Sequence, residues 1–169
     1  MGEPRKRSLS NPDTASPKGD RAETSLQVSL PNKIVVAVDG SDPSFKALSY
    51  AVKLAGLSKS KIVVLNVMSL PPWTAARTAD ALKKDLANKA ADVLGKAKSL
   101  GNSNGVEVET RSTETSESIV MAIIDFSNTE KADLIVMGTK GTSGYGKMML
   151  GSVAAGVVSF ASCPVLAVR

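Results

Sequence analysis

Two stretches of this chain carry residue types that suit anion chemistry. The longer runs Gly138-Thr139-Lys140-Gly141-Thr142-Ser143-Gly144-Tyr145-Gly146-Lys147-Met148-Met149-Leu150-Gly151-Ser152, directly after an apolar run. Glycines have no Cβ, so their backbone N–H groups can approach phosphate oxygens closely. A helix starting near Gly151 and Ser152 would add unpaired N–H groups and a dipole that favours an anion. The Ser152 hydroxyl can either cap that helix or bind phosphate. The plain alternative is a glycine-rich connection ending in an ordinary cap. The second stretch is Asp39-Gly40-Ser41, which closes the run Ile34-Val35-Val36-Ala37-Val38. Asp39 can contact a ligand, help hold a metal, or simply bond its own backbone in a turn. Part of the longer stretch imitates a P-loop, Gly141-x₄-Gly146-Lys147, but Met148 stands where Mg²⁺ needs a hydroxyl. A thioether is a poor magnesium ligand, so the P-loop reading is set aside.

The elements that must hold these loops are legible as an alternation. The run 34–38 is apolar on both faces, as in a buried parallel strand. Ser41 or Asp42 can cap a following helix with Pro43 in its first turn. Phe45, Leu48, Val52 and Ala55 give that helix an apolar face, and Gly56 falls near its expected end. Residues 61–67 form a second strand, and Pro71-Pro72 a stiff connection. From Ala79 to Leu100, apolar residues step by three and four, which predicts a long amphipathic helix. Residues 101–105 read as a turn. Residues 106–110 alternate, as an edge strand with one wet face would. Thr115 and Ser116 precede a third helix carrying Ile119, Ala122, Ile123 and Phe126. Residues 133–137 form a fourth strand, 151–161 a last helix and 164–168 a last strand. Such alternation predicts an α/β fold, an open doubly wound parallel sheet with helices on both faces. Its ligands sit beyond the carboxyl ends of the strands, where the strand order reverses. If the first and fourth strands are neighbours there, their loops build one site.

Composition narrows the chemistry. The 169 residues include no histidine and a single cysteine, Cys163. Ser-His-Asp and Cys-His catalysis, imidazole–zinc sites and intrachain disulfides are therefore excluded. The net charge of +5 is spread thinly along the chain, and lysines at 83, 84, 89, 96 and 98 interleave with aspartates at 80, 85 and 92, the pattern of a solvated helix face. The six aromatics are scattered rather than clustered for base stacking, so no nucleic acid is expected. No apolar run is long enough for a membrane span, no signal peptide is visible, and Lys6 breaks a myristoylation pattern. A cytoplasmic protein is expected. Residues 1–30 are rich in Ser, Thr, Pro and charge and are expected to be a disordered polar tail, with the folded domain at 31–169. Within the tail, Arg5-Lys6-Arg7-Ser8-Leu9-Ser10-Asn11-Pro12 suits a basophilic kinase, or it is generic polar chain. Cys163 reads as a small buried residue and Trp73 as loop packing.

The spacing Gly138-x₂-Gly141-x₉-Gly151-Ser152 resembles the nucleotide-binding signature of the universal stress protein family, in its ATP-binding branch. Residues 34–41, 132–138, 150–154 and 162–169 also resemble the opening strand, fourth strand and C-terminal region of that family. The resemblance covers about 31–169. It implies a five-stranded parallel sheet with four helices, of the adenine nucleotide alpha-hydrolase-like kind, and a site for ATP, ADP or AMP. Carried over by position, Gly138, Gly141, Gly151, Ser152 and Val153 would cradle phosphates and ribose, with Met137 beneath. Asp39 would contact the nucleoside or help hold Mg²⁺. Ala37 and Val38 would wall the adenine, and the Val67 backbone would pair with it. The resemblance also implies a homodimer through the C-terminal strand 164–168. With no histidine base and Asp39 the one clearly placed carboxylate, hydrolysis is expected to be slow or absent, and no catalytic residue is assigned. The alternatives are a metal-dependent ATPase using Asp39 and a nucleotide-free interaction module. The chain departs from the family pattern at Glu114-Thr115-Ser116-Glu117, where many members have a glycine-containing turn; that bears on a partner surface and leaves the site intact.

Overall fold

The computed structural model describes Gly2 and residues 29–74, 76–141 and 150–169. Most of the expected tail, and Gly146, Lys147 and Met148 of the P-loop-like string, lie outside the described residues. Nine elements alternate: β1 (Lys33–Ala37), α1 (Asp42–Ser58), β2 (Lys61–Ser69), α2 (Ala76–Ser103), β3 (Val108–Thr115), α3 (Ile119–Thr129), β4 (Leu134–Gly138), α4 (Ser152–Phe160) and β5 (Val165–Val168). All pairings are parallel, in the order β3-β2-β1-β4-β5. This is the expected open doubly wound sheet of five strands with four helices.

β1 is central, and Ile34, Val35 and Val36 are fully buried. Alternation splits them between two cores. Ile34 and Val36 pack with Leu48, Ala51, Val52 and Ala97 under α1 and α2. Val35 packs with Ile123, Ala154 and Val157 under α3 and α4. Burial of each such side chain is worth about 1.5–3 kcal/mol, which is why the run is apolar on both faces.

Several boundaries differ from the sequence expectation, each for a local reason. Gly56 does not end α1; the helix runs to Ser58 and Lys59 takes the left-handed cap at φ 58°. Gly101 does not open a turn but continues α2 to Ser103, because Val108 lies against it and leaves no room for a Cβ. β3 starts two residues later than expected and runs on to Thr115, pairing with β2 as far as Ser69. Thr115 is thus strand, and Ser118 caps α3 by accepting from the Met121 N–H at 3.3 Å. Trp73, expected to pack in its loop, is 83% exposed. Cys163 is half-buried against the α3/α4 core, and burial, then the Asp133 charge, pushes its thiol pKa up. That keeps it protonated and poorly nucleophilic.

Candidate functional site

β1 and β4 are neighbours, paired from Ile34↔Leu134 to Ala37↔Met137. β2 and β3 extend the sheet on one side and β5 on the other, so the order reverses between β1 and β4. Their carboxyl ends open a cleft of about 420 Å³, within the range of small-molecule sites. All ten residues singled out from sequence line it: Ala37, Val38, Asp39, Val67, Met137, Gly138, Gly141, Gly151, Ser152 and Val153.

The β1 loop is built by a relay of short polar side chains. Asp39 Oδ1 accepts from the Ser41 N–H at 3.0 Å and from the Ser41 hydroxyl. Ser41 Oγ in turn accepts from the Ser44 N–H at 3.3 Å and caps α1. Gly40 between them sits at φ 87°, a conformation that side chains resist. The turn account of Asp39 is therefore correct, yet its carboxylate also lines the cleft.

The β4 loop leaves the sheet through Gly138, whose Cβ would fall 2.9 Å from the Pro43 carbonyl carbon. The glycine lets β4 end against the start of α1. A Cβ on Gly141 would meet Asp39 Oδ2 at 2.6 Å, so the two loops touch across the switch point. The chain returns at Gly151, whose N–H donates to Thr139 O at 2.8 Å; the Thr139 N–H donates to Val168 O, also at 2.8 Å. Gly151 is the N-cap of α4 and supplies no side-chain cap. Ser152 is the first helical residue rather than the cap. The Ser152, Val153 and Ala154 N–H groups start the helix ahead of its first intrahelical bond, which runs from the Ala155 N–H to Gly151 O at 2.8 Å.

The cleft also contains residues that the sequence did not single out. Asn66, Lys89 and Lys140 contribute polar groups, and Leu65, Ile119 and Ile123 apolar walls. Lys89 belongs to the mixed-charge face of α2, where it pairs with Asp85 at 2.8 Å while its residue reaches the rim. Asp39 is the one carboxylate among the described lining residues. No group of three or more His, Cys, Asp or Glu side chains is placed to hold a metal among the described residues. No described helix is long and apolar enough to cross a membrane.

A parallel sheet whose switch point gathers two loops and a helix start without a side-chain cap places the chain in the doubly wound α/β class. Within it, the Universal stress protein family model matches residues 31–169. A universal stress protein of Methanocaldococcus jannaschii is 34% identical over 143 residues, covering 83% of each chain. The UspA structure from Lactobacillus plantarum superposes with a TM-score of 0.73 at 24% identity, covering 82% of this chain and 97% of that one; it bears on the fold. The universal stress protein from Archaeoglobus fulgidus, solved in complex with dAMP, matches with a TM-score of 0.64 at 30% identity, covering 83% and 99%. The chain belongs to the universal stress protein family.

Proposed function

We propose that the chain binds an adenine nucleotide (ATP, ADP or AMP) in the switch-point cleft and acts as a homodimeric stress-response regulator. The observation that carries this is the convergence of Asp39, Gly141 and the start of α4, which Gly151 leaves without a side-chain cap, on one cleft. In this reading Gly138, Gly141, Gly151, Ser152 and Val153 surround phosphates and ribose, over Met137. Asp39 contacts the nucleoside, Ala37 and Val38 wall the base, and Val67 pairs with it through its backbone. The anion is held mainly by peptide N–H groups and the helix dipole. The dAMP complex of the Archaeoglobus relative supports the adenine half of the reading. Mg²⁺ carried with the nucleotide would draw its ligands from phosphate, water and at most the Asp39 carboxylate, a donor set that suits this hard ion. Hydrolysis is slow or absent, since the chain has no histidine and the described lining offers only Asp39 as a base. β5 lies at a sheet edge and supplies the antiparallel contact of a two-fold dimer.

The test is to denature purified protein, identify released nucleotide by chromatography, and titrate the emptied protein with AMP and Mg-ATP. Released or bound adenine nucleotide is expected. A protein that neither releases nor binds adenine nucleotide would overturn the reading. Rapid turnover abolished by Asp39→Ala would favour a metal-dependent ATPase instead.

A further inference from the structure

Asn66 lies inside β2 and is only 8% exposed, in the otherwise apolar run 62–67. A primary amide buried in a strand is costly unless it is bonded. Its Nδ2 donates to the Val38 carbonyl at 2.8 Å. That carbonyl is the next acceptor of the β1–β2 ladder. The Val38 N–H donates to Leu65 O at 2.9 Å, and the rung after it in a parallel ladder would run from the Val67 N–H to Val38 O. Among the described backbone bonds that rung is absent, and the Asn66 side chain occupies its acceptor. The Leu65 carbonyl points towards β1, so alternation along β2 turns both the N–H and the C=O of Val67 the same way. β1 has already ended at Ala37, so this donor–acceptor pair points past it, on the side where Val38 and Val67 line the cleft.

We propose that Asn66 is a positioning residue of the base subsite: its side-chain amide closes the β1–β2 ladder one rung early and leaves the Val67 N–H and C=O open to the edge of an adenine. This rests on the adenine-nucleotide reading above. An N–H beside a C=O complements the adenine edge, where N1 accepts and the 6-amino group donates. A carbonyl left without its side-chain donor would instead recapture the Val67 N–H and draw the two strands together.

Two measurements test this. In the free wild-type protein, amide hydrogen exchange should show Val67 exchanging much faster than Leu65, and AMP should slow it. In Asn66→Ala, AMP affinity should fall at least ~10-fold, while affinity for ribose 5-phosphate, which has no base, changes less than ~3-fold. A general loss of structure would weaken both ligands alike. Val67 as protected as Leu65 in the free protein overturns the proposal, and does so even if the variant fails to fold. So does an Asn66→Ala variant that binds AMP normally. A wild-type protein that binds no AMP overturns the nucleotide reading together with this one, whereas AMP binding with either of the preceding results overturns this one alone.

Discussion

Gly141 is confined by Asp39 before any ligand arrives. A methyl group there would press on Asp39 Oδ2, which lies 2.6 Å from the position of a Cβ. The carboxylate is an exposed side-chain end held by its bonds to Ser41, so Gly141→Ala should destabilise the free protein by at most about 1 kcal/mol, read from denaturant unfolding. Asp39→Ala removes the obstruction, so the double variant should recover much of that loss; additive losses would show that the two loops do not press on each other. Gly141→Val would displace Asp39 as well as fill the space beside the loop. That Asp39, Gly141, Gly151 and Ser152 come together at one cleft was legible in the sequence, because short motifs set them at the ends of β1 and β4 and at the start of α4. Asn66 was not, because the run around it reads as one more buried strand. The available signal was an amide among β-branched residues, where a buried donor must find an acceptor. Trp73 misled in the opposite direction, since an aromatic beside prolines suggests packing and this one stands in solvent.

At the level of elements, β5 presents a free edge with a defined polarity. The Ile135 N–H donates to Pro164 O and the Thr139 N–H to Val168 O, so Pro164, Leu166 and Val168 face β4. Val165 and Ala167 then turn their N–H and C=O groups outward. Ala167→Pro removes an outward N–H without touching the β4 ladder. It should convert dimer to monomer in sedimentation at unchanged circular dichroism, and a dimer that persists would show that another surface makes the contact. The kind and order of the elements followed from hydrophobic period, while their ends did not. Gly101 illustrates why: glycine signals a turn locally, but here it admits Val108 against a helix that continues. Likewise Thr115 and Ser118 are both plausible caps by type, and only the length of β3 decides between them.

For the whole molecule, the positive charge counts for less than its total suggests. Lys89, Lys140 and Asp39 all line the cleft, and the other described lysines lie mostly on exposed helix faces. Among the described residues, the first long-range bonds are made by Pro31 and Asn32: Pro31 O accepts from the Ser60 hydroxyl, and the Asn32 N–H donates to Asp133 Oδ2 at 2.8 Å. Deleting residues 1–30 should therefore change stability by less than about 0.5 kcal/mol and leave AMP affinity unaltered, by calorimetry; a large loss of either would give the segment a structural role. The strand order was invisible in the sequence, because hydrophobic pattern names strands without naming neighbours. That order has a consequence in time. Asp133 reaches back about a hundred residues to bond Asn32 and Lys33, and the same docking of β4 on β1 creates the cleft. Closing so long a loop carries an entropic cost, so the cleft is expected to form late in folding. Whatever fills it acts as a latch across the two halves of the sheet. By mass action it would make resistance to unfolding rise and fall with the free concentration of a metabolite.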